Sequence, residues 1–91
     1  MIEFEWDEAK RWANIKKHGL DFADALEFDW EGLVARPDLR RDYGESRVIA
    51  FAKFRDRVHV IIYADRGGRR RLISFRVANR REAKRYEAEK D

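Results

Sequence analysis

The chain has 91 residues, of which 44% are hydrophobic and 43% charged, and its formal net charge is +3. This length fits one domain, residues 1–91, and is too short for two. The absence of cysteine excludes a disulfide framework and a thiolate zinc site, and it is typical of the reducing cytoplasm. No apolar run approaches the roughly 20 residues of a membrane span, and the acidic N-terminus lacks the pattern of a signal peptide. We therefore expect one cytoplasmic domain.

The N-terminal segment predicts a short strand and a helix. Apolar residues alternate with acids in the strand: Ile2, Phe4 and Trp6. Asp7 can cap a helix over about 8–18, and Gly19 can supply the left-handed residue that ends it. Trp12 and three neighbours share one face of this helix: Ala9, Ala13 and Lys16.

A second helix is predicted at roughly 22–28, with Asp21 as its cap. Its expected apolar face comprises Phe22, Ala25, Leu26 and Phe28. Beyond it, residues 32–35 form a possible short strand stopped by Pro37, and 38–45 is a charged loop. The domain therefore starts with one strand and two helices.

The second half of the chain predicts consecutive strands. Segments 48–52 and 58–63 are rich in β-branched and aromatic residues, and a tight turn at Arg55-Asp56 makes them a hairpin. The paired glycines in 65–68 indicate a second turn, and 71–77 is the next strand.

The last element predicted is a helix capped by Asn79, and Glu82 three residues later completes a capping box. The resulting order β-α-α-β-β-β-β-α, with consecutive strands paired, predicts an α+β fold. We expect a small antiparallel sheet with two N-terminal helices and one C-terminal helix.

Basic charge is concentrated in residues 66–85. This block contains eight arginines and Lys84 against a single acid, Glu82, for a net charge of +8, whereas residues 1–65 carry −3. Such a block would repel itself unless a polyanion or an acidic partner lies over it. Arginines such as Arg69 and Arg71 that flank a small sheet also commonly serve only solubility.

Strand alternation divides this block. Three residues of the last strand share one face, which we expect to be core: Ile73, Phe75 and Val77. Ser74 and Arg76 then point away from the core, with Leu72. Arg80 and Arg81 fall in the first turn of the following helix, where cations oppose the helix dipole. Backbone N–H groups and guanidinium forks both favour phosphate there.

Four segments stand in order between about Phe4 and Tyr86. They are Lys10-x-x-x-Asn14-x-x-Lys17-His18-Gly19-Leu20-x-Phe22, Gly44-Glu45-x-Arg47, Arg71-Leu72-Ile73-Ser74-Phe75-Arg76, and Arg80-Arg81-Glu82 followed by Tyr86. Together they resemble the BrnT family of toxins from type II toxin–antitoxin systems. The resemblance implies a RelE-like fold, RNA-cleaving activity that arrests growth, and a BrnA-type antitoxin with a ribbon-helix-helix part through which the complex binds its own operator DNA.

Metal-independent RNA cleavage uses the 2′-hydroxyl of the substrate as the nucleophile, so the protein must move protons and stabilise charge on the phosphorane. Arg76 is the first choice for charge stabilisation, with Arg66 and Arg81 in support. Groups that could transfer protons are His18, His59, Glu82, Tyr86 and a perturbed Lys17.

Each proton-transfer candidate also has a structural interpretation. His18 can cap its helix and Glu82 can close the capping box, while Tyr86 can pack its ring on the sheet. His59 lies mid-strand and is interpreted as structural. We therefore take the catalytic candidates as Arg76, Arg66, His18, Glu82 and Tyr86.

The RNA-binding candidates are Lys17, Arg69, Arg71, Arg80 and Arg81. Lys10 and Lys17, seven residues apart, share one helical face and could form a second basic wall. Two histidines and no cysteine give no reason to expect a metal or another cofactor. The alternative function is a non-catalytic basic module that docks nucleic acid or an acidic partner.

Overall fold

A computed structural model describes residues 2–90. Its elements, in chain order, are β1 (Glu3–Glu5), α1 (Glu8–His18), a 3₁₀ helix (Phe22–Glu27), β2 (Val34–Pro37), β3 (Val48–Phe54), β4 (Arg57–Arg66), β5 (Arg69–Val77) and α2 (Arg80–Lys90). The strands form one sheet in the order β1-β5-β4-β3-β2. The predicted α+β class is confirmed, and the five strands occur in the predicted chain order. The RelE-like assignment stays a prediction.

The sheet is mixed, so the prediction of a purely antiparallel sheet is wrong at one edge. Strands β2 to β5 pair antiparallel with their neighbours in sequence, as expected. β1 instead pairs parallel with β5, with Glu3 opposite Arg69 and Glu5 opposite Arg71. The N-terminal strand therefore lies beside the last strand, a long-range pairing that local patterns do not encode.

Helix α1 begins and ends where the sequence predicts. The Asp7 carboxylate accepts a hydrogen bond from Ala9 N at 2.8 Å, and Gly19 is left-handed at φ +72°. The face that carries Trp12 points outward, with Trp12 59% exposed. The opposite face packs on β5, and Asn14 is its buried residue. The helix therefore buries a polar side chain and exposes an aromatic one.

The second N-terminal helix is a six-residue 3₁₀ helix rather than an α-helix. Three residues per turn place every third side chain on one face, and the three residues so spaced are buried: Phe22, Ala25 and Phe28. Leu26 falls between them and is 76% exposed. Its predicted place on the apolar face is wrong because it assumed 3.6 residues per turn.

Both predicted hairpin turns are confirmed. Arg55 and Asp56 have φ of +48° and +70°, and Gly67 and Gly68 have φ of +52° and +83°. Two consecutive left-handed residues give the turn twist that matches a two-residue hairpin.

A β-bulge in β5 corrects the predicted core. Ser74 pairs with Ile62 and Leu72 pairs with Tyr63, so Ile73 is an extra residue with no partner on β4. Leu72 consequently joins the core at 1% exposure beside Phe75, although simple alternation placed it on the opposite face. Ile73 is only half-buried, and Val77 at the strand end is exposed.

The two faces of the sheet are covered by different elements. One face packs against the 3₁₀ segment and its aromatic rings, among them Phe22 and Phe28. The other face carries Phe51 and Arg76 and is covered by α2, whose Tyr86 is buried. Arg76 points away from the core cluster as predicted, but the face on which it lies is not open. Within residues 2–90, no helix has both the length and the apolar character needed to cross a membrane.

Candidate active site

The edge of β5 changes its partner halfway along the strand. β1 pairs with residues Arg69 to Arg71 only. At Phe75 the partner is a side chain: Asn14 Oδ1 accepts from Phe75 N at 3.1 Å, and Asn14 Nδ2 donates to Phe75 O at 2.8 Å. Nδ2 also donates to Leu20 O. The carboxamide thus takes the place of a strand residue and holds α1 against the exposed end of β5.

A groove lies between α1 and this end of the strand. It has a volume of about 250 Å³, and we call it the α1–β5 groove: Lys10, Asn14, Lys17, His18, Ile73 and Ser74 line it, with Ala13. Lys10 and Lys17 therefore share a wall, as their seven-residue spacing predicts. The bulged residue Ile73 faces this groove rather than the core.

His18 stands at the end of the groove where α1 stops. Burial lowers its pKa below the ordinary value of 6.5, and the positive charges of Lys17 and Arg76 lower it further. A lowered pKa means that the imidazole is largely neutral near pH 7, in the form that accepts a proton. The structure therefore brings His18 and Arg76 into one electrostatic neighbourhood.

Arg76 is held in a fixed orientation by Glu82 of α2. Its Nη1 and Nη2 donate to the two carboxylate oxygens at 2.8 and 2.9 Å. Within residues 2–90 its Nε makes no hydrogen bond, so the Nε–Nη2 edge can still fork onto a phosphate. The Arg76 side chain as a whole is 29% exposed, so it is reached by the solvent.

Glu82 serves two structural purposes at once. Its Oε1 accepts from Asn79 N while Asn79 Oδ1 accepts from Glu82 N, which confirms the capping box. The hydrogen bonds from Arg76, followed by the one from the Asn79 backbone, lower the pKa of Glu82. A carboxylate so occupied is suited to orienting Arg76 and poorly suited to accepting a proton.

The arginines near the β4–β5 turn are paired with acids of this chain. Arg70 forms a two-pronged pair with Asp65 at 2.8 and 2.9 Å and stacks over Tyr63 and Trp30. Arg69 and Arg71 lie within 4 Å of Glu5 on the neighbouring β1.

Arg66 completes this paired group through Glu45, which precedes β3. The arginine block is thus partly neutralised from within, which corrects the expectation that only an external partner could offset its charge. The neutralising acids come from β1, β4 and the loop before β3.

A second group of cations has no such partners. Within residues 2–90, neither the lysines of α1 nor the basic residues in the first half of α2 make an ion pair shorter than 4.0 Å. These residues, which we call the unpaired cations, are Lys10, Lys16, Lys17, Arg80, Arg81, Lys84 and Arg85. Lys17 lines the α1–β5 groove, and Arg80 and Arg81 lie in the first turn of α2, directly after the Arg76 end of β5. Lys10 reaches further along the strand and also lies beside Arg66 and Arg71.

Arg66 lies far from Arg76 along the sheet. Arg76 is opposite Val60 on β4, six residues before Arg66. At about 3.3 Å per residue this is roughly 20 Å. The two guanidinium groups therefore cannot hold one phosphate together, whereas Arg76 is paired with Glu82 and lies close enough to His18 for its charge to lower the pKa of His18.

The remaining candidates occupy separate places. Tyr86 is the buried residue of α2, on the side that faces the sheet, and burial raises its pKa. His59 is buried between the Phe54 and Phe75 rings, with Nδ1 2.9 Å from Arg57 O, in agreement with its structural interpretation.

Asn14 is the residue of this site whose role the sequence did not reveal. It was visible within the spacing Lys10-x-x-x-Asn14-x-x-Lys17, but a polar residue on a helix gives no sign that it pairs with a strand edge 61 positions later. Only the folded structure shows that the buried Asn14 carboxamide uses both its N–H donor and its oxygen acceptor.

Three features suit a protein that acts on a phosphodiester backbone. Arg76 is held in place with its Nε–Nη2 edge unbonded, His18 is largely neutral, and unpaired cations lie nearby. The class defined by this small α+β domain is therefore that of basic, nucleic-acid-directed enzymes. A family model for BrnT, the ribonuclease toxin of type II toxin–antitoxin systems, matches residues 6–82. The chain belongs to this family, which makes RNA its substrate class and an antitoxin its partner. No curated protein sequence matches the chain at a significant level.

Proposed function

We propose that this toxin cleaves RNA by attack of the 2′-hydroxyl on the adjacent phosphodiester, without a metal ion. The observation that carries the proposal is the Arg76–Glu82 pair beside His18 at the open end of β5. A fixed guanidinium next to a neutral imidazole provides charge stabilisation and a proton acceptor in one place.

In this proposal the side chains take distinct roles. His18 accepts the proton of the 2′-hydroxyl, and the free Nε–Nη2 edge of Arg76 stabilises the phosphorane. Glu82 is a positioning residue that acts through Arg76. Lys17 and Tyr86 stay the candidates that protonate the 5′-oxygen as it leaves, and that choice rests on the sequence alone.

RNA binding follows the distribution of unpaired charge. Lys17, Arg80 and Arg81 lie next to the cluster and are free to contact neighbouring phosphates. Arg69 and Arg71 carry acidic partners, and Arg66 lies roughly 20 Å along the strand from the level of Arg76. We therefore propose that these three arginines contribute a diffuse field or contact RNA away from the cleaved bond.

The partner proposed is a BrnA-type antitoxin with a ribbon-helix-helix part, through which the complex binds its operator. Support comes from the sequence resemblance and from family membership, since type II toxins are neutralised by a protein. Expression without the antitoxin should arrest growth, and Arg76→Ala should relieve the arrest. Persistent toxicity of that variant would contradict the assignment of Arg76.

The direct test incubates the purified protein with RNA in excess EDTA. We expect fragments ending in 2′,3′-cyclic phosphate and 5′-hydroxyl, because the 2′-oxygen displaces the 5′-oxygen. RNA that is 2′-O-methylated at every position should bind but stay intact. Salt-sensitive binding without any fragments would favour the non-catalytic module instead.

A further inference from the structure

A second cleft opens on the other side of Glu82, between α2 and the face of β2 and β3. Its volume is about 190 Å³, and we call it the α2 cleft: Arg36, Phe51, Arg81, Glu82, Arg85 and Tyr86 line it, with Glu89. Phe51 and Tyr86 give it an aromatic floor, and Arg81 and Arg85 stand at its rim. An aromatic floor below basic groups suits a flat ring attached to a phosphate.

Arg36 gives the wall of this cleft its hydrogen-bonding character. Its Nη2 donates to Glu89 Oε2 at 2.7 Å, and its guanidinium lies 5.8 Å from the centre of the Phe51 ring. Its Nε is buried and has no acceptor among the described residues. Buried donors are almost always satisfied in folded proteins, so this N–H calls for an acceptor supplied from outside the chain.

The rim of the cleft supplies charge for a phosphate. Arg81 and Arg85 lie four residues apart, on one face of α2, and both belong to the unpaired cations. Neither has an acidic partner within residues 2–90, whereas Arg36 is already bound to Glu89. The rim therefore attracts an anion while the floor favours an apolar ring.

Glu82 joins this cleft to the catalytic cluster, because the carboxylate that orients Arg76 also lines the cleft. We propose that the α2 cleft binds the base of a nucleotide next to the cleaved phosphodiester. This inference rests on the proposed ribonuclease function and adds a subsite to it. The base stacks on Phe51, and a shift of the Arg36 side chain exposes its buried Nε to donate a hydrogen bond to the base. The backbone phosphate of the nucleotide lies against Arg81 and Arg85.

The test compares ligands that differ only in the base. AMP, GMP, CMP and UMP are titrated into the ¹⁵N-labelled toxin alongside ribose 5-phosphate, and the arginine Nε–H signals are followed by NMR. We expect at least one nucleotide to bind roughly tenfold more tightly than ribose 5-phosphate and to shift the Arg36 Nε signal. If ribose 5-phosphate binds as tightly as all four nucleotides, the subsite is excluded.

A matched pair of variants locates the effect. Phe51→Leu should abolish the preference for a nucleotide over ribose 5-phosphate, whereas Trp12→Leu, which changes an exposed aromatic on α1, should keep it. If Phe51→Leu does not fold, the Arg36 Nε signal of the unsubstituted protein decides alone. A nucleotide preference that survives in folded Phe51→Leu overturns the stacking site.

The competing occupant is a side chain of the antitoxin. If purified antitoxin shifts the Arg36 Nε signal and no nucleotide does, the cleft belongs to the protein partner and the inference fails. Cleavage is scored separately with RNA in EDTA. If the toxin cleaves RNA but binds nucleotides no better than ribose 5-phosphate, only the subsite is overturned. If it prefers nucleotides but does not cleave RNA, only the ribonuclease mechanism is overturned.

Discussion

The two ends of β5 both carry ion-paired arginines, but different parts of the chain complete the strand edge beside them. At the turn end, Arg69 and Arg71 face the acids of β1, and Arg70 is bound by Asp65. At the helix end β1 has stopped, and the Asn14 carboxamide has replaced it as the partner of the strand edge. A strand with acidic side chains neutralises one end, whereas a neutral side chain completes the other.

The difference teaches where charge remains available in a chain with many ion pairs. Because β1 stops at Arg71, its acids do not reach the helix end, and Lys17, Arg80 and Arg81 form no ion pair there within residues 2–90. Arg76 is the exception at that end, and its acid leaves one edge of the guanidinium free. We therefore locate RNA chemistry at the helix end and structural ion pairing at the turn end.

The largest expected effect is on the rate of RNA cleavage, and it distinguishes Arg76 from Arg70, although both arginines form bidentate ion pairs. Arg76→Ala should lower the rate of RNA cleavage by about 10²–10³-fold, the usual loss when one preorganised charge stabiliser is removed. Arg70→Ala, at the turn end, should leave the cleavage rate within about twofold. Single-turnover cleavage of a defined RNA measures both.

Stability measurements complete this comparison. Arg70→Ala should lower the free energy of unfolding by about 1–2 kcal/mol, because the side chain stacks on Tyr63 and Trp30. Equal losses of cleavage rate in the two variants would show that the two ends of β5 are not functionally distinct.

Asn14 tests how the helix end is held together. Asn14→Ala leaves the buried N–H and C=O of Phe75 without partners, so we expect a loss of about 3 kcal/mol in the free energy of unfolding. Trp12→Ala, on the exposed face of the same helix, removes a larger side chain and should cost less than about 1 kcal/mol. Urea denaturation measures both, and a larger loss for Trp12→Ala would contradict the strand-edge role of Asn14.

Salt dependence sharpens the contrast between paired and unpaired cations. Each phosphate contact to single-stranded RNA contributes about 0.7 to the slope of log K against log salt. Arg81→Ala should lower the magnitude of that slope by about this amount, whereas Arg69→Ala at the turn end should change it much less. Binding of 2′-O-methyl RNA at several salt concentrations gives the slopes. Equal changes would mean that both ends contact the backbone.

The smallest expected effect concerns pH. The pKa of His18 lies below 6.5 because of burial, Lys17 and Arg76, so cleavage should lose activity only as the pH falls below 6.5 and the imidazole becomes protonated. Lys17→Met removes one neighbouring cation, which raises the pKa and moves this acid limb to higher pH.

Lys16→Met provides the control, because it removes the adjacent charge without acting on His18. His18→Gln should abolish the acid limb altogether. A limb that stays in place in His18→Gln would assign proton transfer to a different group.

Local patterns were sufficient for the boundaries of most elements. Asp7, Gly19 and Asn79 end or begin helices through hydrogen bonds and backbone angles set by near neighbours. The glycines of the β4–β5 turn act in the same local way. Leu72 and Leu26 were misplaced because a bulge and a 3₁₀ turn change the periodicity on which the predictions depended.

The candidate site was predictable as a set of residue types and not as an arrangement. The resemblance selected Arg76, His18 and Glu82, which the fold brings together. The chemistry of the guanidinium group also selected Arg66, which lies outside the four segments and which the fold places roughly 20 Å along the strand from the level of Arg76. Distance along the chain did not reveal this, since Arg66 and Arg76 lie on neighbouring strands and their separation depends on register.

Charge, composition and short-range spacing were enough to predict a small basic α+β domain with an arginine pointing away from the core. The tertiary structure alone decided which arginines are neutralised and which remain available. The physical reason is that ion pairs and strand edges join residues far apart in sequence: Glu5 meets Arg71 through β1, and Asn14 meets Phe75 across 61 positions. Such pairings depend on the packed arrangement of the whole chain, and short-range periodicity carries no record of them.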